Sequence, residues 1–224
     1  MPASLTFHPQ DAHFLDIFTH DLRSPLLGVY GYLSELERVI EEIPDNDTPK
    51  ADLADIKDGL ARMETMLDGL LSICRRSRPA LSIEDIDMDS LLAEVIAQVQ
   101  AECGPIDIEV APLPPCRADR NSLQVALIHL LHNAVRAGGP ITIDGQRGER
   151  LCYTITDQGS GLSDSMRRQC FELFATDGSG DGIGLSLARH HVIRQHGWLR
   201  LRNLSSGGCR AEVSLPLQSS DVQP

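Results

Sequence analysis

The chain has 224 residues, 42% of them hydrophobic and 4% aromatic, with a formal net charge of −12; this suits one large domain or two small ones with a core of Leu, Ile, Val and Ala. The acidic balance excludes a nucleic-acid surface, which needs clustered cations, and Arg75, Arg76 and Arg78 are too few and too local to supply one. No stretch approaches the ~20 apolar residues of a membrane span, and residues 1–10 lack the charged and apolar regions of a signal peptide.

Apolar residues recur at helical spacing over 12–43, from Phe14, Ile17 and Phe18 through Leu22, Leu26, Val29, Leu33, Leu36 and Ile40 to Ile43. The breaker Pro44-Asp45-Asn46-Asp47-Thr48-Pro49 follows. Leu53, Ile56, Leu60, Met63, Leu67, Leu70 and Cys74 then alternate steps of three and four, the a/d seam of a coiled-coil-like bundle. After a tail over 1–11, this predicts an antiparallel helical hairpin over 12–76. One hairpin hides part of its apolar stripes, so a homodimer with a four-helix bundle is expected. Packing on the chain's own C-terminal part is the weaker alternative, because both stripes are long.

Ser77-Arg78-Pro79 closes the second helix and opens a linker over 77–85. The pattern over 86–217 is mixed. It predicts helices over 88–100, 121–137 and 185–196, and strands over 106–110, 141–143 and 151–155, the last two separated by a turn region at Asp144-Gly145. Strands over 199–201 and 211–215 close the domain around Gly207-Gly208, and 218–224 reads as a loose tail. Runs of helices and hairpin-connected strands, without regular β-α-β alternation, make the chain α+β, with an α/β sandwich as its second domain. The six cysteines are scattered singly with no C-x-x-C, and the histidines show no H-E-x-x-H spacing, so neither a disulfide framework nor a zinc site is expected. Reduced thiols and a cytoplasmic location are the expectation.

Two distant segments carry chemistry. His20 stands at the edge of the first helix's apolar stripe, with Asp21 beside it and Pro25 five residues on. A neutral, exposed imidazole nitrogen can accept a phosphoryl group in line. Asp21 could hold the other ring nitrogen and stabilise the cation that forms. Pro25 cannot donate to the Asp21 carbonyl, which loosens the helix there. Ser24 shares the face of His20 and could position a water. Taken alone, a histidine on a helix flank is more often a solvated or packing residue.

In the second segment, Asp157-Gln158-Gly159-Ser160-Gly161 follows a strand. The carboxylate can accept from an exocyclic amine while the glycines admit a flat ring close to the backbone; ordinary strand-end turns use the same letters. Gly178, Gly180, Gly182 and Gly184 open a helix whose N–H groups could face phosphates, with a surface loop as the rival reading. Asn133 offers a hard oxygen for Mg²⁺, and Arg136 lies near its face to meet phosphate. Phe171 and Phe174 could anchor a lid or pack in the core.

The order of these segments resembles the bacterial sensor histidine kinases over essentially residues 12–217. His20-Asp21-Leu22-Arg23-Ser24-Pro25 is similar to the phosphoacceptor box, Asn133-Ala134 with Arg136 to the asparagine box, and Asp157-x-Gly159-x-Gly161 to the first glycine box. Phe171-x-x-Phe174 and Gly182-x-Gly184-Leu185 resemble the phenylalanine box and the second glycine box. The resemblance implies a dimeric phosphotransfer hairpin and a Bergerat-type ATP-binding domain, with ATP and Mg²⁺ as cofactors. It further implies autophosphorylation of His20 and transfer to an aspartate of a response regulator, with sensory input from a missing domain or a partner protein.

By position, Asp157 would bind the adenine amine, Asn133 the Mg²⁺ and Arg136 the phosphates, with Gly159, Gly161, Gly180, Gly182, Gly184 and Leu185 completing the pocket. Ser24 would assist a phosphatase reaction. Three departures stand out: His129 replaces an asparagine common in the family, the lid over 175–181 carries Asp177 and Asp181 but no Lys or Arg, and Ser24 replaces a threonine or asparagine. They point to a slow kinase. The alternative is a phosphotransfer or scaffold protein whose ATP domain binds nucleotide but is catalytically weak.

Overall fold

The computed structural model divides into two units, Met1–Pro79 and Ala80–Pro224. It describes residues 28–41, 49–57, 59–60, 63, 80–172, 175–176 and 182–217. The phosphoacceptor residues His20, Asp21 and Ser24 lie outside the described residues, as do Phe174, Gly178 and Gly180.

In the first unit, helix α1 covers 28–41, and α2 is helical at the described positions from 49 to 63. Leu33 and Ile40 of α1 are buried with Leu53 and Leu60 of α2, and Tyr30 packs against them. Both pairs are spaced by seven residues, two helical turns, so each helix lays one apolar seam against the other. Lys57 of α2 pairs with Glu37 of α1. Val29, Tyr32, Leu36, Val39, Ile56 and Met63 remain exposed.

The second unit runs β1 (Ile83–Ile86), α3 (Met88–Cys103), β2 (Ile108–Val110), β3 (Cys116–Asp119), α4 (Arg120–Ala137), β4 (Ile141–Arg147), β5 (Arg150–Asp157), α5 (Asp164–Gln169), α6 (Gly184–Arg194), β6 (Trp198–Asn203) and β7 (Cys209–Pro216). The main sheet has the order β2-β4-β5-β7-β6; β1 and β3 form a separate antiparallel pair. β2 runs parallel to β4, and the other neighbours in the main sheet are antiparallel. Strand alternation gives the sheet one apolar face: Leu151, Tyr153 and Ile155 of β5 are buried, as are Ala211, Val213 and Leu215 of β7. Helix α4 packs against α3, α6 and β5, and its Leu123, Leu127, Leu130 and Leu131 join the same core. The result is a mixed α/β domain.

Helix ends follow their capping residues. Asp87 accepts from the backbone N–H of Asp89 and Ser90 at the start of α3, and Asp119 accepts from that of Ser122 at the start of α4. Gly104 and Gly138 close the two helices at φ of 84° and 85°, conformations open to glycine.

The structure departs from the sequence expectations at several points. Asp144-Gly145 is no turn: both residues lie inside β4, and the chain reverses at Gly148-Glu149. Gly145 serves packing instead, since a Cβ there would lie 2.8 Å from Pro114 Cδ where the 111–115 segment crosses the strand. Strand β2 is shorter than the expected 106–110, with Ile106 packed against the core beyond its end. Helix α6 ends at Arg194 rather than 196, because His196 adopts a φ of 58°. Strand β1 occupies part of the stretch expected to be linker, tied to β3 by the register Ile83↔Asp119 to Ile86↔Cys116. Strand β3 and the short helix α5 were not anticipated. Among the described residues no helix is long and apolar enough to cross a membrane.

Candidate functional site

Asp157 continues the inward-facing row of β5 by one step, after Leu151, Tyr153 and Ile155. Alternation therefore turns its carboxylate toward the helix-covered side, where it is 6% exposed. Its Oδ1 accepts from the backbone N–H of Gly159 at 3.0 Å and of Cys209 at 3.1 Å. Two fixed donors on one oxygen orient the group and leave Oδ2 as the acceptor for a ligand.

The turn after Asp157 is held by close backbone packing. A Cβ at Gly159 would sit 2.3 Å from the Ala137 carbonyl oxygen, so only glycine lets this turn meet the last turn of α4. On the other side, Gly208 has a φ of 85°, and a Cβ there would lie 2.0 Å from the Asp157 carbonyl oxygen. Asn203, at the end of β6, acts as a backbone mimic. Its Oδ1 accepts from the Leu162 N–H at 2.8 Å and its Nδ2 donates to the Leu162 carbonyl at 2.7 Å. Gly161, with a φ of 69°, passes directly beneath that side chain.

Asn133 and Arg136 lie on the C-terminal half of α4, the end that the Asp157 turn abuts; Asn133 is partly buried and Arg136 exposed. Asn133 Nδ2 is buried with no hydrogen-bond partner among the described residues. An asparagine amide can be turned over to exchange its nitrogen for its oxygen. Oδ1 in that position is a hard donor of the kind Mg²⁺ takes alongside phosphate oxygens and water. The residue present therefore fits the ion.

Helix α6 begins at Gly184, after Gly182 at a φ of 67°. Its N-cap is Ile183, which makes no side-chain capping hydrogen bond. An apolar cap leaves the first N–H groups to be met by something else, and an anion is the favourable candidate. Leu185 packs against the core from this first turn. A Cβ at position 184 would lie 3.3 Å from His129 Nδ1, so the imidazole of α4 stands at the entrance of α6. Phe171 also packs against the core, with the Arg189 guanidinium 5.0 Å from its ring centroid.

Of the residues singled out in the sequence, the structure gathers Asp157 and Gly159 with the end of α4, Gly161 with the Gly207-Gly208 turn, and His129 with Gly184. Asn203, Gly208 and Cys209 were missed. Gly207-Gly208 was legible only as a turn between strands, and nothing local marks Asn203 or the Cys209 N–H as partners of residues some 40 to 50 positions away.

A family model described as Histidine kinase-, DNA gyrase B-, and HSP90-like ATPase matches residues 118–219. The methanogenesis regulatory histidine kinase FilI of Methanothrix harundinacea is 31% identical over 82% of this chain and 22% of its own length. Among solved structures, full-length ShkA in complex with AMPPNP covers 94% of this chain and 47% of its own at a TM-score of 0.73 and 23% identity, a likeness of fold. The mycobacterial sensor histidine kinase MprB covers 60% of this chain and 97% of its own, at a TM-score of 0.54 and 25% identity. The chain spans between 22% and 58% of the length of curated relatives such as FilI. Fold, motif order and relatives agree: residues 118–219 form an ATP-binding domain of the histidine kinase-, DNA gyrase B- and HSP90-like ATPase family, and the chain over most of its length is similar to sensor histidine kinases.

Proposed function

We propose that this chain is the core of an ATP-dependent protein histidine kinase that phosphorylates His20 and passes the phosphoryl group to an aspartate of a response regulator. The observation that carries the nucleotide half is Asp157, buried and oriented by two backbone donors on one oxygen. Its remaining oxygen accepts from an adenine amine. A guanine would bring a carbonyl to the same place and set acceptor against acceptor, so the site selects ATP over GTP. The open N-terminus of α6 receives phosphate, Arg136 lies on the α4 side of the same site, and Asn133 holds Mg²⁺. When bound, that ion neutralises phosphate charge during transfer.

In the phosphotransfer half, the His20 imidazole attacks the γ-phosphorus as the bond to ADP breaks, with Asp21 steadying the ring, and Ser24 places a water for a separate phosphatase reaction. The exposed Val29, Tyr32, Leu36 and Ile56 favour pairing of two copies through an α1–α2 hairpin, which covers these side chains. A cytoplasmic location and a sensory input from another domain or a partner protein complete the proposal. The likeness to FilI, a regulatory histidine kinase, favours the same reading.

A second reading has one observation in its favour. His129 puts an imidazole, rather than the family's common carboxamide, at the mouth of α6, which fits a domain that holds nucleotide but transfers its γ-phosphoryl group poorly. Incubation with γ-labelled ATP and Mg²⁺ separates the two. Acid-labile label that vanishes in His20→Ala supports the kinase; bound nucleotide without label rejects it in favour of the weak binder.

A further inference from the structure

Cys103, the last residue of α3, lies outside the nucleotide machinery. It is exposed, whereas Cys116, Cys170 and Cys209 are buried and Cys152 is partly covered. Burial pushes the Cys116 and Cys209 thiols up to about 11, which keeps them protonated and inert. Cys103 has different company. Its Sγ lies 3.5 Å from His132 Nδ1, and His132 Nε2 lies 3.0 Å from Glu102 Oε2. Gln98 Nε2, one turn earlier on α3, donates to Glu102 Oε1 at 3.3 Å.

This sequence of contacts assigns the roles. A carboxylate only accepts, so His132 Nε2 carries the hydrogen toward Glu102, and the lone pair of Nδ1 in the neutral ring faces the thiol. Nucleophile, base and orienting carboxylate therefore stand in line at hydrogen-bond distances. Core packing does not account for an exposed thiol held this way, and among the described residues no three such side chains are arranged to hold a metal ion. The thiol proton leaves as the sulfur reacts, and the imidazole is placed to take it.

We propose that Cys103, His132 and Glu102 form a thiol centre at which a small hydroperoxide oxidises Cys103 to its sulfenic acid. Cys103 Sγ attacks the peroxide oxygen; the S–O bond forms as the O–O bond breaks, so the sulfur is oxidised and the peroxide reduced. The thiol proton passes through His132 Nδ1 to the departing oxygen, which leaves as water from hydrogen peroxide or as an alcohol from an organic peroxide. His132 ends in the state in which it began, and Glu102 stabilises the transient imidazolium.

The test exposes the full chain to hydrogen peroxide with a sulfenic-acid trap and follows each cysteine-containing peptide by mass spectrometry. Cys103 is expected to label at least about ten times faster than Cys152. The Cys103 rate should fall about 100-fold in His132→Gln, the scale of a positioned acid–base group, and by a smaller factor in Glu102→Gln. Equal labelling of Cys103 and Cys152 in the native protein overturns the proposal, and so does an unchanged Cys103 rate in a folded His132→Gln. If that variant does not fold, Glu102→Gln, at an exposed position, decides: an unchanged rate there overturns it as well.

Discussion

In the proposed nucleotide site Asp157 reads a base from a buried position, and a buried carboxylate must be satisfied, since an isolated one loses too much hydration away from water. The N–H groups of Gly159 and Cys209 meet the second demand with one oxygen and free the other for the first. Asp157→Asn should keep both backbone bonds through its amide oxygen while presenting an NH₂ to the adenine amine. Losing one hydrogen bond to a charged group, about 1.5–3 kcal/mol, should weaken ATP binding about 10- to 100-fold in calorimetric titration, with the melting temperature of the free protein little changed. Gly208 acts on the same residue from behind. Gly208→Ala places a methyl 2.0 Å from the Asp157 carbonyl oxygen and strains a positive φ. Overpacking of this kind costs about 1–3 kcal/mol, read as a lower thermal midpoint together with weaker nucleotide binding. The Asp157 motif was legible because it is contiguous. Its supports were not, because they belong to a hairpin whose register only the folded sheet sets.

At the scale of elements, α4 and α6 are joined at the end away from the Asp157 turn. Asp119 caps α4 through the Ser122 N–H and also receives the Ser82 N–H at 2.8 Å, while its own N–H donates to Gln195 Oε1 at 2.6 Å. Desolvation raises the Asp119 carboxyl, but the Ser122 and Ser82 donors and the Arg194 charge outweigh it and hold the group below its ordinary value. Asp119→Ala should destabilise the domain by about 1 kcal/mol or more from the cap alone, measured by urea unfolding.

One turn before Gln195, His191 is held below the ordinary imidazole value of 6.5, first by desolvation and then by Arg194, with Asp119 opposing. The unfolded chain therefore takes up this proton at a higher pH than the folded one does. Stability is lost as pH falls from about 6.5 toward the folded value, and the Asp119 loss follows only below its ordinary 3.8. His191→Leu, which also removes a ring nitrogen buried without a hydrogen-bond partner among the described residues, should flatten the slope of stability against pH between about 7 and 5. A slope as steep as that of the native protein in urea titrations across this range would reject the assignment.

The division at Pro79/Ala80 gives each unit its own core, the first built on Leu33, Ile40, Leu53 and Leu60. A fragment over 80–217 should unfold cooperatively and bind ATP with the affinity of the whole chain, because every described residue of the proposed nucleotide site lies within it. Self-association should reside in the first unit. Leu36, 45% exposed, is well placed for contact with a second copy, and Leu36→Glu should shift the protein toward monomer in sedimentation velocity without altering the melting of the ATP domain. An unchanged association state would argue against the dimer proposed here.

How much of this was legible depended on whether the signal was local. Long amphipathic periods, glycine-framed turns and the acidic composition are properties of neighbouring residues, so the α+β class, the main helices and the Asp157 and Gly182–Gly184 motifs could be read directly. Strands β1 and β3 could not, because Ile83-Glu84-Asp85-Ile86 and Cys116-Arg117-Ala118-Asp119 carry too few apolar residues to register and exist by pairing with each other. Asp144-Gly145 failed in the opposite sense. Its letters favour a hairpin turn, yet β4 pairs through them with Thr154 and Tyr153 of β5, and the missing Cβ of Gly145 makes room for Leu113 and Pro114. Composition and local pattern thus determined what elements and motifs this chain possesses. Tertiary structure decided which backbone donors hold Asp157 and where His129 stands, because both depend on contacts between segments far apart in sequence.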